Sequence, residues 1–362
     1  MNPTTQLNRA GQSLWLDNIT RDLLTTGRLQ HYIDDLAVSG LTSNPTIYDK
    51  AIGGTAAYDG AVRAAAARGV SGEEIFFDLA LDDLTRAADL FRPVHDRTGG
   101  VDGFVSLEVS PLLAYDAEAT VREAARLHGL AGRPNLFIKV PGTAEGLRAI
   151  EDTIVGGVPV NVTLLFSPSQ YLAQAEAYTR AIERRVEAGL PAFVASVASV
   201  FISRWDSAVA AKVPDDLRNR LGVAIGMRAY ADYRAFFSSD RWQRLLNVGA
   251  RPQRLLFAST GTKDPTAPDV LYVAGLAAPH TVNTMPEETL LAFADHGSVG
   301  NLLPAGYAAA DALLARFAAA GVDVEAVGRD LQEKGAAAFV ASWGSLLERI
   351  AVKVVEVAGA AR

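Results

Sequence analysis

One lysine stands near the end of a short apolar run, Asn135-Leu136-Phe137-Ile138-Lys139-Val140-Pro141. Bounded by Pro134 and by Pro141-Gly142, a run of this makeup reads as a buried parallel strand. Side chains alternate across a strand, so Phe137 and Lys139 share one face while Ile138 and Val140 share the other. A lysine at the carboxyl end of a buried strand can shed its hydration shell, which lowers its pKa and frees the amine as a nucleophile. The commoner use of such a lysine is to snorkel to solvent. Its company decides between the two. Polar residues close other apolar runs in the same way: Asp17, Asn44, Glu108, Asn161 with Thr163, Ser199 and Ser259. Taken singly, each has a structural use, as a helix cap, a turn former or a satisfied buried amide. Two carboxylates, two amides and one lysine at corresponding ends of different strands instead suggest acid, base and nucleophile in one site.

The elements that must position these residues alternate along the chain. Strands are expected at Ser13–Ile19, Val38–Thr42, Phe104–Glu108, Asn135–Pro141, Val158–Leu164, Ala192–Val197, Leu255–Ala258 and Thr281–Asn283. Helical stretches separate them: Thr20 capping a helix through Leu29, residues 46–97 with a break at Gly69–Gly72, Ala117–Gly129, Gly146–Val155 and Ser167–Gly189. Ser203–Lys212, Asp215–Phe237, Arg241–Val248 and Asp269–Ala278 follow, and a long amphipathic segment from Leu331 to Val357 ends the series.

Eight short strands alternating with helices point to an α/β fold, a (β/α)8 barrel of parallel strands. An open doubly wound sheet competes, but no Gly-x-Gly-x-x-Gly follows the first strand. In a barrel, functional residues sit at the carboxyl ends of strands and point inward. Parity fits: Asp17 shares a face with Trp15, Glu108 with Ser106 and Thr163 with Asn161. Leu14, Leu16, Val105, Leu107, Val162 and Leu164 fall on the opposite, helix-covered faces. With no solenoid repeat, low-complexity linker or abrupt charge shift, residues 1–362 are expected to form one barrel domain. A helical carboxyl-terminal extension of about residues 287–362 is expected to pack on the barrel.

Composition narrows the chemistry. The 362 residues are 49% hydrophobic and 21% charged, ordinary for a chain with a large core. There is no cysteine, which excludes disulfides, thiolate metal sites and cysteine nucleophiles. His31, His95, His128, His280 and His296 stand far apart without ligand spacing, so no catalytic metal is expected; no cofactor is expected either. A net charge of −7 disfavours nucleic acid and anionic membrane as partners. An anionic small substrate stays open if a few cations gather locally. Met1 to Gln12 is polar and lacks the apolar core of a signal peptide, and Phe193–Ile202 is too short to span a bilayer, so a soluble cytoplasmic chain is expected. Oligomeric state is not encoded in any of these features.

Several motifs resemble those of the transaldolase family and stand in that family's order. They are Gly-Leu-Thr-Ser-Asn-Pro-Thr-Ile (Gly40–Ile47), Ser-Leu-Glu-Val-Ser (Ser106–Ser110), Phe-Ile-Lys-Val-Pro-Gly-Thr (Phe137–Thr143) and Asn-Val-Thr-Leu-Leu-Phe-Ser (Asn161–Ser167). Ser-Val-Phe-Ile-Ser-Arg (Ser199–Arg204) and Ala-Ser-Thr-Gly-Thr-Lys (Ala258–Lys263) continue the match, which covers roughly Trp15 to Asn283. The resemblance implies a pentose-phosphate enzyme that moves a dihydroxyacetone unit from a ketose phosphate to an aldose phosphate through a lysine Schiff base. It implies Lys139 as the Schiff-base lysine, Asp17 as the base for carbon–carbon cleavage, and Glu108 with Thr163 as holders of a proton-relaying water. Asn44, Asn161 and Ser199 would bind the hydroxyls of the retained three-carbon unit, with Phe201 as a wall. Arg204 resembles the family's phosphate ligand, helped by Ser259. Where many members place an arginine after that serine, this chain has Lys263, a point charge without the guanidinium fork.

Two other readings share these residues. A related Schiff-base aldolase would release free dihydroxyacetone, although such relatives carry a different residue where this chain has Glu108. A catalytically silent sugar-phosphate-binding barrel would have no need of the intact lysine, acid and amide set.

Overall fold

The computed structural model describes residues 2–359. Its eight strands are β1 (Ser13–Leu16), β2 (Val38–Thr42), β3 (Val105–Glu108), β4 (Leu136–Pro141), β5 (Val160–Leu165), β6 (Ser196–Phe201), β7 (Arg254–Ala258) and β8 (Val282–Met285). They close in sequence order into a barrel, each parallel to both neighbours. Almost every strand residue is buried, because helices cover the outer face and side chains fill the interior. The expected (β/α)8 barrel is the fold.

The alternation of faces holds. Trp15 and Phe137 point into the barrel with their ring centroids 6.1 Å apart, and Phe104 stacks on Phe137 at 4.2 Å. Gly40 makes room for them: a Cβ there would lie 2.7 Å from the Trp15 ring. With the amino-terminal half of the interior filled by aromatic rings, the shorter polar residues are left at the carboxyl-terminal end.

Some boundaries differ from expectation. The sixth strand begins at Ser196 rather than Ala192, because parallel pairing starts where Ser196 meets Val160. The serines that interrupt its apolar pattern are positions on the strand rather than its end. β1 stops at Leu16, so Asp17 lies one residue past the strand, its N–H still donating to Met285. β8 runs to Met285, two residues beyond the expected end. The helix expected from Thr20 to Leu29 is two helices, Arg21–Thr25 and Arg28–Asp35, parted by Gly27 at a φ of 77°. Only Leu271–Gly275 is helical within the stretch expected at 269–278. An unforeseen helix, Pro3–Arg9, is capped by the Asn2 side chain.

The terminal helix, Val324–Gly359, is 36 residues and so about 54 Å long. It lies along the helix Pro45–Gly54 and crosses the rim of the barrel. Gln332 Nε2 donates to the carbonyls of Gly142 (3.0 Å), the residue after β4, and Leu164 (2.9 Å), the penultimate residue of β5. Leu164 holds a φ of 60° at an irregularity in the β5–β6 register, a backbone state that a branched side chain rarely adopts. Further along, Arg349 pairs with Asp49 at 2.5 Å and Lys353 with Asp59 at 2.8 Å. Among the described residues no helix is long and apolar enough to cross a membrane.

Candidate active site

At the carboxyl-terminal mouth of the barrel lies a cavity of about 300 Å3. Lys139 enters it from β4, only 5% exposed. Its Nζ donates to Glu108 Oε2 at 3.1 Å and to the Ser43 carbonyl at 3.0 Å. Register makes the first contact, because Glu108 on β3 pairs with Lys139, which in turn pairs with Asn161 on β5. A single row of three neighbouring strands thus presents acid, amine and amide side by side. Burial raises the Glu108 pKa above the ordinary glutamate value, the Lys139 charge opposes that, and the charge of Asp17 adds to it.

Asp17 faces the same cavity from the end of β1. Thr42 Oγ1 donates to its Oδ1 at 2.7 Å and meets Thr284 Oγ1 at 2.8 Å. Thr42 has one hydroxyl proton and gives it to the carboxylate, so Thr284 is the donor in the second contact. Burial raises the Asp17 pKa, and Lys139, the Thr42 hydrogen bond, Lys263 and Arg204 draw it back down.

Asn161 is fixed from both sides, donating to Ser106 Oγ at 3.1 Å and accepting from Ser199 Oγ at 2.7 Å. Asn44 caps the helix Pro45–Gly54 by accepting from the Ile47 N–H at 3.1 Å. That cap uses the amide oxygen, and Asn44 lines the cavity with its amide nitrogen unpaired among the described residues. Glu108 Oε1 and Thr163 Oγ1 are buried, each without a hydrogen-bond partner among the described residues. Nine of the residues singled out in the sequence line the cavity, and the other two, Glu108 and Asn161, adjoin it through their hydrogen bonds with Lys139 and Ser199.

Cations ring the opening. Arg204 follows β6 and stacks over Phe201 at 5.0 Å. It makes no ion pair among the described residues, and burial lowers its pKa while the charge of Asp17 supports the cation. Asp206, the nearest carboxylate in sequence, is engaged elsewhere: it accepts from the N–H groups of Leu221 (2.8 Å) and Gly222 (3.0 Å) and from Tyr272. Ser259 holds a φ of 56°, and its hydroxyl lies 3.0 Å from that of Ser203. Lys263 reaches the cavity from the loop after β7, exposed and without an ion pair among the described residues.

Four contributors escaped the sequence reading. Thr42 closes β2 with inward parity but lacks a charge or an amide to draw notice. Thr284 lay one residue past the expected end of β8. Lys50 belongs to a helix, yet it lies three and four residues beyond Ile47 and Thr46, and all three line the mouth. Phe339 comes from the terminal helix and roofs the cavity from a distance in sequence that no local pattern spans.

Comparison with known proteins meets this geometry at the level of the whole chain. The sequence profile of the family described as Transaldolase/Fructose-6-phosphate aldolase matches residues 14–350. A protein named Transaldolase from Thermobifida fusca is 47% identical over 358 residues, covering 96% of this chain and 97% of its own. Another of that name from Frankia alni is 46% identical over 359 residues, 97% of each chain. A third, from Neisseria gonorrhoeae, is 44% identical over 338 residues, covering 93% of this chain and 96% of its own. A barrel closed in sequence order, a buried lysine beside a carboxylate, and likeness along nearly the full length lead to one assignment: the chain belongs to the transaldolase/fructose-6-phosphate aldolase family.

Proposed function

We infer that this chain is a transaldolase, transferring a dihydroxyacetone unit from a ketose phosphate to an aldose phosphate through a Schiff base on Lys139. The reaction interconverts sedoheptulose 7-phosphate plus glyceraldehyde 3-phosphate with erythrose 4-phosphate plus fructose 6-phosphate. The observation that carries the assignment of residues is the buried contact of Lys139 Nζ with Glu108 Oε2 at 3.1 Å, opposite Asp17.

Glu108 takes the proton that Lys139 must lose before its nitrogen can attack the ketose carbonyl. The carbinolamine then expels hydroxide as water, using a proton returned through a water held between Glu108 and Thr163. The two unpartnered oxygens of that pair supply the acceptor and donor such a water needs. The resulting iminium draws electrons from the neighbouring carbon–carbon bond. Asp17 removes the proton of the hydroxyl one carbon further on, that bond breaks, and its electrons come to rest in an enamine on Lys139. The aldose phosphate leaves, an acceptor aldose phosphate enters, and the same steps run backwards. Asn44, Asn161 and Ser199 hold the hydroxyls of the three-carbon unit, and Phe201 closes one side.

Arg204, Ser259 and Lys263 bind the phosphate. Lys50 adds a further cation on the opposite side of the mouth, since β2 and β6 lie four strands apart in the closed barrel. A cytoplasmic setting with sugar phosphates as the small-molecule partners accords with this reading.

Product analysis tests it. Fructose 6-phosphate supplied with erythrose 4-phosphate is expected to yield glyceraldehyde 3-phosphate and sedoheptulose 7-phosphate. Without an acceptor, turnover is expected to stop after one equivalent per chain. Continued release of free dihydroxyacetone would make the chain an aldolase instead.

A further inference from the structure

The opposite end of the barrel holds a larger cavity, of about 530 Å3. It opens among the amino-terminal ends of the strands, beside Ser13 of β1, Phe104 before β3, Ser196 of β6 and Arg254 of β7. We propose that this cavity is a second ligand site, for a planar aromatic anion, whose occupancy is transmitted to the catalytic layer through the barrel core.

The class of ligand follows from the walls. Phe104, Phe137, Phe193, Tyr233 and Phe237 offer aromatic surface, which favours a flat apolar body. Arg234, Arg251 and Arg254 bring three guanidinium groups, none in an ion pair with a carboxylate among the described residues. Their hydrogen bonds run to uncharged groups: Arg251 to the Gly99 carbonyl, Arg254 to the carbonyls of Val101 and Thr281 and to Ser13 Oγ, Arg234 to Tyr230 Oη. Arg251 also stacks over Phe193 at 4.3 Å. The one carboxylate in the wall among the described residues, Asp102, is occupied by Ser13, Trp15 Nε1 and the Gly103 N–H. The wall is therefore net cationic, and an anion balances it. Gln12 lines the same cavity, is 1% exposed, and keeps Oε1 without a partner among the described residues, an acceptor for a ligand hydroxyl or N–H.

Transmission follows from parity. On β4, Phe137 lines this cavity and Lys139, the next inward residue, lines the catalytic one. On β6 the same holds for Val197 and Ser199, and on β1 the inward face runs Ser13, Trp15, Asp17. Two residues along a strand span about 6.6 Å, so a single layer of side chains separates the two ligands. A close-packed interior passes a displacement of Phe137 or Val197 to its inward neighbour.

The test uses 8-anilinonaphthalene-1-sulfonate, an aromatic sulfonate that becomes fluorescent when bound, on the full-length chain. The expected result is one saturable site per chain that fructose 6-phosphate does not displace. Arg251→Gln, at an exposed position, should weaken it about ten- to a hundred-fold, as loss of a charge-assisted contact does. Ala195→Phe, which fills the cavity from its wall, should abolish it, with near-ultraviolet circular dichroism checking that the variant is folded. Turnover should change with the same half-saturation as the fluorescence. Displacement by fructose 6-phosphate, or binding indifferent to both substitutions, would overturn the site. Saturation with unchanged kcat and KM would overturn its coupling to the catalytic layer. The binding measurements do not depend on the reaction assigned above, so either reading can fail alone.

Discussion

Thr42→Val removes one hydroxyl and keeps the side chain's shape at a position only 3% exposed. In the native chain that hydroxyl donates to Asp17 Oδ1 at 2.7 Å and thereby favours the ionised carboxylate against its burial. A hydrogen bond to a charged group contributes about 1.5–3 kcal/mol. Since about 1.4 kcal/mol corresponds to one pKa unit, Asp17 should rise by roughly one to two units in the variant. A base works only when deprotonated, so the acid limb of the pH profile marks its ionisation. The quantity to measure is kcat/KM for transfer from fructose 6-phosphate to erythrose 4-phosphate across the acid range, because kcat/KM reports groups of the free enzyme. The limb should move to higher pH by that amount, while the rate on the plateau falls much less. An acid limb that stays in place, with the rate lowered equally at every pH, would refute the assignment of Asp17 as the base.

Asp17→Ala should still form a borohydride-trappable adduct while turnover falls by about 10²–10⁴, whereas Glu108→Ala should slow adduct formation itself. Single-turnover rates of adduct formation and aldehyde release separate the two; exchanged outcomes would exchange the roles. Arg204→Ala should raise KM for phosphorylated donors about ten- to a hundred-fold and hardly alter it for donors without phosphate, with Lys50→Gln giving the same pattern more weakly. Equal losses on both donor types would make these cations structural. The raised pKa of Asp17 also bears on stability: its contribution is fully present below the unfolded value of 3.8 and is lost as the pH rises through the higher folded value. Asp17→Asn should therefore melt above the native chain at pH 7, by a margin that shrinks as the pH falls toward 3.8, and equal melting temperatures throughout would contradict the shift.

The barrel and most of the site could be read from the chain because inward and outward residues alternate strictly. Trp15 and Asp17, Ser106 and Glu108, Asn161 and Thr163 keep the faces that their spacing assigns. What parity could not supply is where pairing begins and ends. The expected β6 lies four residues early because Ser196 and Ser199 look like interruptions of an apolar run until Val160 pairs with the first and the Asn161 side chain accepts from the second. Thr284 was missed for the same reason, one residue past an end fixed only by its pairing with Trp15. Lys50 and Phe339 lie on helices, where the residue that faces a site depends on how the helix docks. Gln332 illustrates that limit: its hold on the ends of β4 and β5 links positions 190 and 168 residues apart.

Trapping tests the central claim most directly. The chain is incubated with fructose 6-phosphate, reduced with borohydride and mapped by peptide mass spectrometry. Lys139 is the lysine at an inward strand end beside Glu108, and the adduct should fall there alone, at one per chain. Lys139→Ala should remain folded and form none. An adduct on Lys50, Lys212 or Lys263, or trapping that persists in Lys139→Ala, would contradict the account.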